Sequence, residues 1–255
     1  MRDTADRRGQ GRSRFPVRGL EIIFEDRDIL VVDKPSGLLT MGTEKERTRT
    51  VYFALTDYVR KGAARSRNRI FIVHRLDRET SGVLVFAKNE EMKFALQGGW
   101  GEAQKKYLAV VHGRCETPSD TITSYLAESA SHRVYSTTDP HKGRLARTRY
   151  TVLKETRNLS LLEVRPLTGR KHQIRVQLAN HGHPVVGDAR YGLPHERYRR
   201  LALHARCLTF RHPATGEVVS FEAETPVYFH ELVGSFRHLC RETPRTPDTR
   251  ASATQ

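Results

Sequence analysis

The chain has 255 residues, of which 44 are Lys or Arg and 29 are Asp or Glu, giving a formal net charge of +15. No apolar run reaches the roughly 18 residues that a membrane-spanning helix needs, and the polar N-terminus is unlike a signal peptide. We therefore expect a cytoplasmic protein with no membrane contact. The excess of positive charge favours a polyanionic partner, and nucleic acid in particular.

The cysteines and the two chain ends set further limits. Cys115, Cys207 and Cys240 stand far apart, without a Cys-x-x-Cys pair, and predict neither a zinc site nor a disulfide framework. Residues 1–19 hold six Arg and two Asp with little to bury, so they predict a disordered basic arm. The polar residues 241–255 predict a disordered tail. Most of the charge thus belongs to one folded domain, residues 20–240.

The first half of the chain predicts a hairpin followed by a helix. Residues 20–24 and 29–33 are apolar runs separated by a charged turn. Apolar positions recur at helical spacing over residues 51–59, with Thr50 as the N-cap. After a basic loop at 60–69, the sequence predicts strands at 70–73, 83–87 and 105–111 and a helix at 89–97.

Asp77 occupies the connection between two of these apolar strands. A connection of that kind holds a side chain rigidly while leaving it open to a cleft, as a catalytic carboxylate requires. Arg75 and Arg78 flank Asp77, and nearby positive charge favours an ionised carboxylate. The alternative is that Asp77 only caps a turn or pairs with an arginine. Charged residues between two apolar strands weigh against that alternative, because such local conflicts are expected where function overrides stability.

The second half contains another basic stretch. Residues 115–145 predict irregular structure with short strand-like pieces, followed by strands at 147–154 and 159–165. Thr168 and Gly169 then predict the start of a helix whose first turns carry cations and free backbone N–H groups, an arrangement suited to phosphate. Those side chains are Arg170, Lys171, His172 and Arg175. A solvated basic helix is the alternative, although cations at a helix start oppose the macrodipole.

The remaining segments complete the predicted fold. His181 and His183 favour a turn over a metal site, because no Cys or carboxylate cluster accompanies them. Residues 203–210 and 218–223 predict a hairpin, and Pro226 opens a last helix. Its apolar side would hold Val227, Leu232, Val233, Phe236 and Leu239. Strands joined mostly by hairpins, with helices between them, predict an α+β domain with a mixed, mostly antiparallel central sheet and flanking helices.

These residues resemble the RluA-type pseudouridine synthase family. The nine residues 74–82, HRLDRETSG, match the family signature closely. Three further stretches agree in the same order: residues 29–39 (ILVVDKPSGLL), 105–113 (KKYLAVVHG) and 168–179 (TGRKHQIRVQLA). Leu203-His204-Ala205 and residues 212–217 agree as well. The resemblance covers roughly residues 20–226 and implies the pseudouridine synthase fold.

The resemblance also implies an activity and roles for individual residues. The expected enzyme isomerises uridine to pseudouridine within structured RNA, either rRNA or tRNA, without a cofactor or metal. Asp77 is the essential carboxylate, which attacks the ribose anomeric carbon or removes a ribose proton. Tyr107 stacks on the flipped base and takes part in a later proton transfer, although a Tyr at such a position is more commonly an ordinary strand aromatic. Arg175 pairs with Asp77.

Further expectations concern RNA recognition. Arg75, Arg78, Arg170, Lys171 and His172 are expected to bind RNA. Many family members carry a small RNA-binding module before the catalytic domain, and here only about twenty residues precede it. Recognition is therefore expected to rest on the basic surface of the catalytic domain, and a monomer is expected.

Two other classes of function compete with this interpretation. A non-catalytic RNA-binding or ribosome-assembly factor would use the basic charge equally well, but it has no need of Asp77, Tyr107 and Arg175 together. A glycosidase acting on a small nucleoside would want a second catalytic carboxylate and little positive charge. The motifs supply neither.

Overall fold

The computed structural model describes residues 17–61, 63 and 65–236. The predicted arm, the predicted tail, Leu239 and Cys240 lie wholly or mostly outside this part of the chain. Within it, a single mixed sheet of eleven strands is flanked by four helices. The strands are β1 (Glu21–Glu25), β2 (Ile29–Lys34), β3 (Phe71–Ile72), β4 (Ser81–Ala87), β5 (Gln104–His112), β6 (Ser119–Glu128), β7 (Val134–Thr137), β8 (Arg144–Glu155), β9 (Leu159–Pro166), β10 (Leu203–Arg211) and β11 (Val218–Glu222). The helices are α1 (Val51–Arg60), α2 (Glu90–Gly98), α3 (Gln173–Asn180) and α4 (Val227–Val233).

The sheet is mostly antiparallel, as predicted. Its strand order is β1-β2-β4-β10-β5-β9-β8-β6-β7, with β11 paired to β10 and β3 paired to β4. Among the described strands, only β4 and β10 run parallel to each other. The α+β class and both predicted hairpins, β1 with β2 and β10 with β11, are confirmed.

The centre of the sheet explains why strand β4 is apolar throughout. All seven of its residues are buried. Leu84 and Phe86 pack in a cluster with α1, while Val83 and Val85 pack in a cluster with Leu96 of α2. Successive side chains of a strand point to opposite faces, so β4 needs apolar residues on both sides.

Gly82 allows β4 to approach β10 closely. Its φ is +114°, and a Cβ at this position would lie 2.2 Å from the carbonyl oxygen of Ala205. Only glycine fits such a conformation and approach. The glycine that ends the HRLDRETSG stretch thus fixes the connection carrying Asp77 against the centre of the sheet.

Helix starts were predicted correctly where a side chain caps the first turn. Thr50 accepts a hydrogen bond from the backbone N–H of Phe53 at the start of α1. Asn89 accepts one from Met92 at the start of α2. Pro226 precedes α4, as predicted, but this helix ends at Val233 before Gly234, so Phe236 lies beyond the helix and is still buried in the core.

Three other predictions were wrong. The basic stretch does not start a helix at Thr168, because His172 has the left-handed conformation (φ 53°) and α3 begins only at Gln173. Residues 115–145, where irregular structure with short strand-like pieces was predicted, instead contain the ten-residue strand β6 and the four-residue strand β7, which pair antiparallel. The strand expected at 70–73 is reduced to the two residues of β3 at the sheet margin. No helix in the described residues is long and apolar enough to cross a membrane.

Candidate active site

Asp77 opens into a cleft of about 1220 Å³ between the loop that follows β3 and the loop that precedes α3. Its side chain is 27% exposed, so the carboxylate is accessible although the neighbouring strands are buried. The cleft is lined by all eight side chains that the sequence proposed as site residues: Arg75, Asp77, Arg78, Tyr107, Arg170, Lys171, His172 and Arg175.

Arg175 on α3 is the cation that binds Asp77. Its Nη1 donates a hydrogen bond of 2.9 Å to Oδ2 of Asp77. The Arg175 side chain is only 7% exposed. A buried charge is costly unless it is paired and hydrogen-bonded, so this arginine requires partners on its other nitrogens as well.

Asp188 supplies those partners. The Nε and Nη2 of Arg175 donate to Oδ2 and Oδ1 of Asp188 at 2.7 and 2.8 Å, and the Asp188 side chain is fully buried. Burial would lower the pKa of Arg175, but its hydrogen bonds with Asp188 and Asp77 raise that pKa above the ordinary value. Burial would raise the pKa of Asp188, but Arg175 and two backbone N–H groups lower it overall. The pair therefore stays charged.

Backbone groups fix Asp188 in turn. The N–H groups of Arg190 and Tyr191 donate to its Oδ1 at 2.9 and 3.0 Å. The preceding residue, Gly187, has φ +74°, and a Cβ there would lie 2.0 Å from the carbonyl oxygen of Arg200. The turn that presents Asp188 thus depends on glycine.

His172 lies beside the ion pair. Its Nε2 is 3.9 Å from Oδ1 of Asp77, and its Nδ1 shares a hydrogen bond of 2.8 Å with the hydroxyl of Tyr191. The backbone N–H of Val134 donates to the same hydroxyl at 3.3 Å. Burial lowers the pKa of His172; Asp77 opposes this shift, and Arg175 reinforces it. The imidazole is therefore neutral at pH 7 and acts by hydrogen bonding.

Tyr107 lies on β5, opposite Val164 of β9 and Ala205 of β10. It is partly buried and lines the cleft together with Asp77. Burial, and then the charge of Asp77, raises the pKa of Tyr107 above its ordinary value. The side chain therefore presents an aromatic ring and a neutral hydroxyl at neutral pH.

Lys34 supports the Asp77 loop from behind the cleft. Its side chain is fully buried, and Nζ donates to the carbonyl oxygens of Pro35, Leu38 and Arg78 at 3.0, 2.7 and 3.0 Å. Burial lowers the pKa of Lys34 to about 7, against the attraction of Glu79 and Asp77. The lysine joins the loop after β2 to the residue next to Asp77.

Arg75 and Arg78 flank Asp77 in the sequence, but their guanidinium groups contact other residues. Nη1 of Arg75 lies 3.9 Å from Sδ of Met41. Arg78 donates from Nε to the carbonyl oxygen of Gly37 at 3.1 Å, and its Nη2 lies 3.3 Å from Glu46. Within the described residues, the ion pair of Asp77 is made by Arg175, which lies 98 positions away in the chain.

The residues before α3 form a loop rather than a helical turn, so Lys171 and Arg175 do not share a helix face. Gln173 closes this loop, accepting hydrogen bonds from Thr168 Oγ1 at 2.8 Å and from the backbone N–H of Arg170 at 3.0 Å. Lys171 binds Glu128 of β6 at 2.6 Å. The basic side chains still reach the cleft, but the loop positions them.

The histidines that raised a possible metal site form other contacts. Nδ1 of His183 lies 3.1 Å from the carbonyl oxygen of His112, and Nε2 of His181 lies 3.7 Å from Asp120. The described residues contain no group of three or more His, Cys, Asp or Glu side chains that could hold a metal.

Three supporting residues escaped the sequence analysis: Lys34, Asp188 and Tyr191. Lys34 could have been noticed in the sequence, because it is a lysine at the end of a strand that is otherwise mostly apolar and buried. Asp188 follows the buried Val185 and Val186 within a Gly-rich turn, a weaker signal. Nothing in the sequence indicated that the hydroxyl of Tyr191 contacts His172.

Comparisons with known proteins agree on one family. The model of the RNA pseudouridylate synthase family matches residues 28–180. The chain is 36% identical to the dual-specificity RNA pseudouridine synthase RluA of Vibrio cholerae over 76% of this chain and 78% of that protein. It is 33% identical to the ribosomal large subunit pseudouridine synthase D of Zymomonas mobilis, over 81% of this chain and 69% of that one.

A solved structure agrees with the sequence matches. Human RNA pseudouridylate synthase domain containing 4 superposes with a TM-score of 0.70 and 25% identity, covering 88% of this chain and 94% of that one. The chain therefore belongs to the RNA pseudouridylate synthase family, in its RluA-type branch, and it is an RNA pseudouridine synthase.

Proposed function

We propose that this enzyme isomerises uridines in structured RNA, either rRNA or tRNA, with Asp77 as the essential carboxylate acting on a base turned out of the RNA stack. The observation that carries this proposal is the position of Asp77: an accessible carboxylate in a basic cleft, bound through Oδ2 to a buried arginine. Its Oδ1 has no partner closer than the 3.9 Å to His172 among the described residues and faces the space where substrate would lie.

The chemistry requires a charged carboxylate that is held still. The bond between the uracil nitrogen and the ribose breaks, the uracil turns, and a ring carbon forms the new bond while its proton moves to the freed nitrogen. Asp77 acts by attacking the anomeric carbon or by removing a ribose proton. In both routes the carboxylate must be held in place, and Arg175 binds it at 2.9 Å.

Tyr107 is proposed to stack on the flipped uracil. Its ring lines the cleft beside Asp77, and aromatic rings are common platforms for unstacked bases. Because its pKa is raised, the hydroxyl keeps its proton at neutral pH and is available as a donor. We further propose, from the family resemblance, that Tyr107 takes part in the later proton transfer, in which the ring carbon loses its proton and the freed nitrogen gains one.

Arg75, Arg78, Arg170 and Lys171 are proposed to contact RNA phosphates around the target, with His172 as a neutral hydrogen-bonding group. All five line the cleft on both sides of Asp77. Phosphate contacts position an RNA without reading its sequence. We further propose that residues 20–240 form the catalytic domain and that the protein acts as a monomer without a cofactor.

The test is a comparison of pseudouridine maps of rRNA and tRNA. Maps are made from cells that have the gene, lack it, or carry Asp77→Asn, and Asp139→Asn in an exposed turn serves as the matched control. The proposal expects the same site or sites to disappear in the deletion strain and in Asp77→Asn only. Unchanged maps, with tight RNA binding by the protein, would favour a non-catalytic assembly factor.

A further inference from the structure

A second cavity, of about 800 Å³, lies beside the active-site cleft. The two share the wall formed by Met41, Gly42, Thr43 and Ile72. The second cavity is therefore adjacent to the cleft that contains Asp77. None of the catalytic or RNA-binding side chains proposed above lines it.

The cavity is lined in part by a planar cation that lies next to an aromatic ring. The guanidinium carbon of Arg69 lies 4.8 Å from the centre of the Phe71 ring, and Tyr52 of α1 contributes a second aromatic side chain. Guanidinium planes and aromatic rings are the surfaces on which proteins stack unpaired RNA bases. Arg69 is exposed, so its guanidinium group is accessible to a base.

The charged residues that line the cavity suit a nucleotide better than a bare phosphate. Arg47, Arg69 and Lys93 line the cavity, and within the described part of the chain none forms an ion pair with a carboxylate. Glu44 and Glu90 also line it. Carboxylates repel phosphate but accept hydrogen bonds from the amino group of a base, so this mixture suits a whole nucleotide.

We propose that the second cavity binds one nucleotide of the substrate RNA next to the target uridine, stacking its base on Arg69 and preferring a base that carries an amino group. This inference rests on the proposed function, because it requires the target to lie at Asp77. It assigns recognition of RNA sequence to Arg69, Tyr52 and the two glutamates, while the cations of the main cleft hold the backbone.

The test measures whether Arg69 and one flanking base act together. The substrate is the shortest RNA stem-loop carrying the uridine that the maps identify. Abasic nucleotides replace, one at a time, the two positions on either side of the target. Pseudouridine formation is followed for the wild type, Arg69→Ala and Arg69→Lys. Arg114→Ala is the matched control, since Arg114 is an exposed arginine bound to Glu155 outside both cavities.

The proposal expects one abasic position to raise the KM of the wild type about tenfold, the effect of one lost stack, with kcat unchanged. Arg69→Ala should raise the KM for intact RNA by a similar factor, and the two changes together should do no more than either alone. Arg69→Lys should behave like Arg69→Ala, because an ammonium keeps the charge but lacks the plane. Arg114→Ala should leave KM unchanged.

Additive effects of Arg69→Ala and every abasic position would overturn the proposal. So would inhibition of the wild type by free AMP, CMP or GMP without any such coupling, which would indicate a site for a free nucleotide. Binding of the same RNAs to Asp77→Asn protein separates the two claims. If the coupling persists in the Asp77→Asn protein while turnover does not depend on Asp77, the proposed function fails and the nucleotide site stands. If turnover depends on Asp77 but the coupling is absent, only the nucleotide site is overturned.

Discussion

Asp188 binds Nε and Nη2 of Arg175, the two nitrogens that Asp77 does not use. The guanidinium thus lies between one accessible carboxylate and one fully buried carboxylate. Because Asp188 is itself fixed by backbone N–H groups, it sets the plane of Arg175, and Arg175 sets the orientation of Asp77. A residue without access to the cleft therefore positions the proposed catalytic group.

Asp188→Asn should impair catalysis without removing any group from the cleft. An amide offers one acceptor where two are needed, so Arg175 loses a hydrogen bond and its charge balance. We expect kcat to fall about 10–100-fold, as for a misplaced catalytic group, and the free energy of unfolding to fall by about 3 kcal/mol. Single-turnover kinetics and urea denaturation measure the two effects. A folded Asp188→Asn protein with normal kcat would show that Asp188 does not position Arg175.

Lys34→Met tests the support of the Asp77 loop. The substitution keeps the length and removes the donor shared by the carbonyl oxygens of Pro35, Leu38 and Arg78. The bond to Leu38 is buried, whereas the oxygen of Arg78 keeps a hydrogen bond from the backbone N–H of Gly37. An unsatisfied buried acceptor costs about 1–3 kcal/mol, so we expect a loss of that size and a lower kcat. Lys154→Met is the control, because Lys154 binds a single carbonyl oxygen at an exposed site. Equal melting temperatures for the two variants would contradict this role.

The sequence predicted the strands and helices whose cause is local. The hairpins, the capping residue Thr50 and the apolar β4 all depend on neighbouring residues, and the structure contains them. The helix start at Thr168 was wrong because the left-handed conformation of His172 leaves no sign in the sequence. The partners of Asp77 show the same limit, since the adjacent Arg75 and Arg78 were weighed first and the distant Arg175 entered only through the family resemblance.

The pairing of β1 and β2 should make the stability of the protein depend on pH. Glu21 lies directly opposite Asp33. Burial, and then the charges of Glu21 and Glu224, raises the pKa of Asp33 to about 6 from 3.8. The folded state therefore binds more protons than the unfolded state between pH 4 and 6, and the contribution of Asp33 to stability is lost as the pH rises through this range.

Asp33→Asn should remove the loss of stability that accompanies the rise in pH. We expect equal stability of the variant and the wild type near pH 4 and a variant more stable by about 1–2 kcal/mol at pH 7, after allowance for partial exposure. Glu21→Gln should give part of the same gain in stability, because it removes one of the two negative charges that raise the pKa of Asp33. Urea denaturation at pH 4, 5, 6 and 7 measures the difference in the free energy of unfolding between each variant and the wild type. A difference that does not change with pH would show that Asp33 titrates normally.

Substitutions of Arg75 and Arg78 should have different effects on stability, although both side chains line the cleft. Among the described residues, the guanidinium of Arg75 has a polar contact only with a methionine sulfur, whereas that of Arg78 bonds to Gly37 and Glu46. Arg75→Ala should therefore weaken RNA binding and reduce its salt dependence by about one phosphate contact, with unchanged stability. Arg78→Ala should also lower the melting temperature. Salt titrations of RNA affinity, with melting curves, distinguish them; identical behaviour of the two variants would show that the contacts of Arg78 are unimportant.

The most direct test of the central claim is the turnover of a purified RNA substrate by the wild type and by Asp77→Asn. The amide keeps the size of the side chain and accepts a hydrogen bond from Arg175, so folding and RNA affinity should be retained while it can act neither as nucleophile nor as base. We predict that pseudouridine formation by Asp77→Asn falls below detection at unchanged RNA affinity. Turnover by Asp77→Asn within tenfold of the wild-type rate would contradict it.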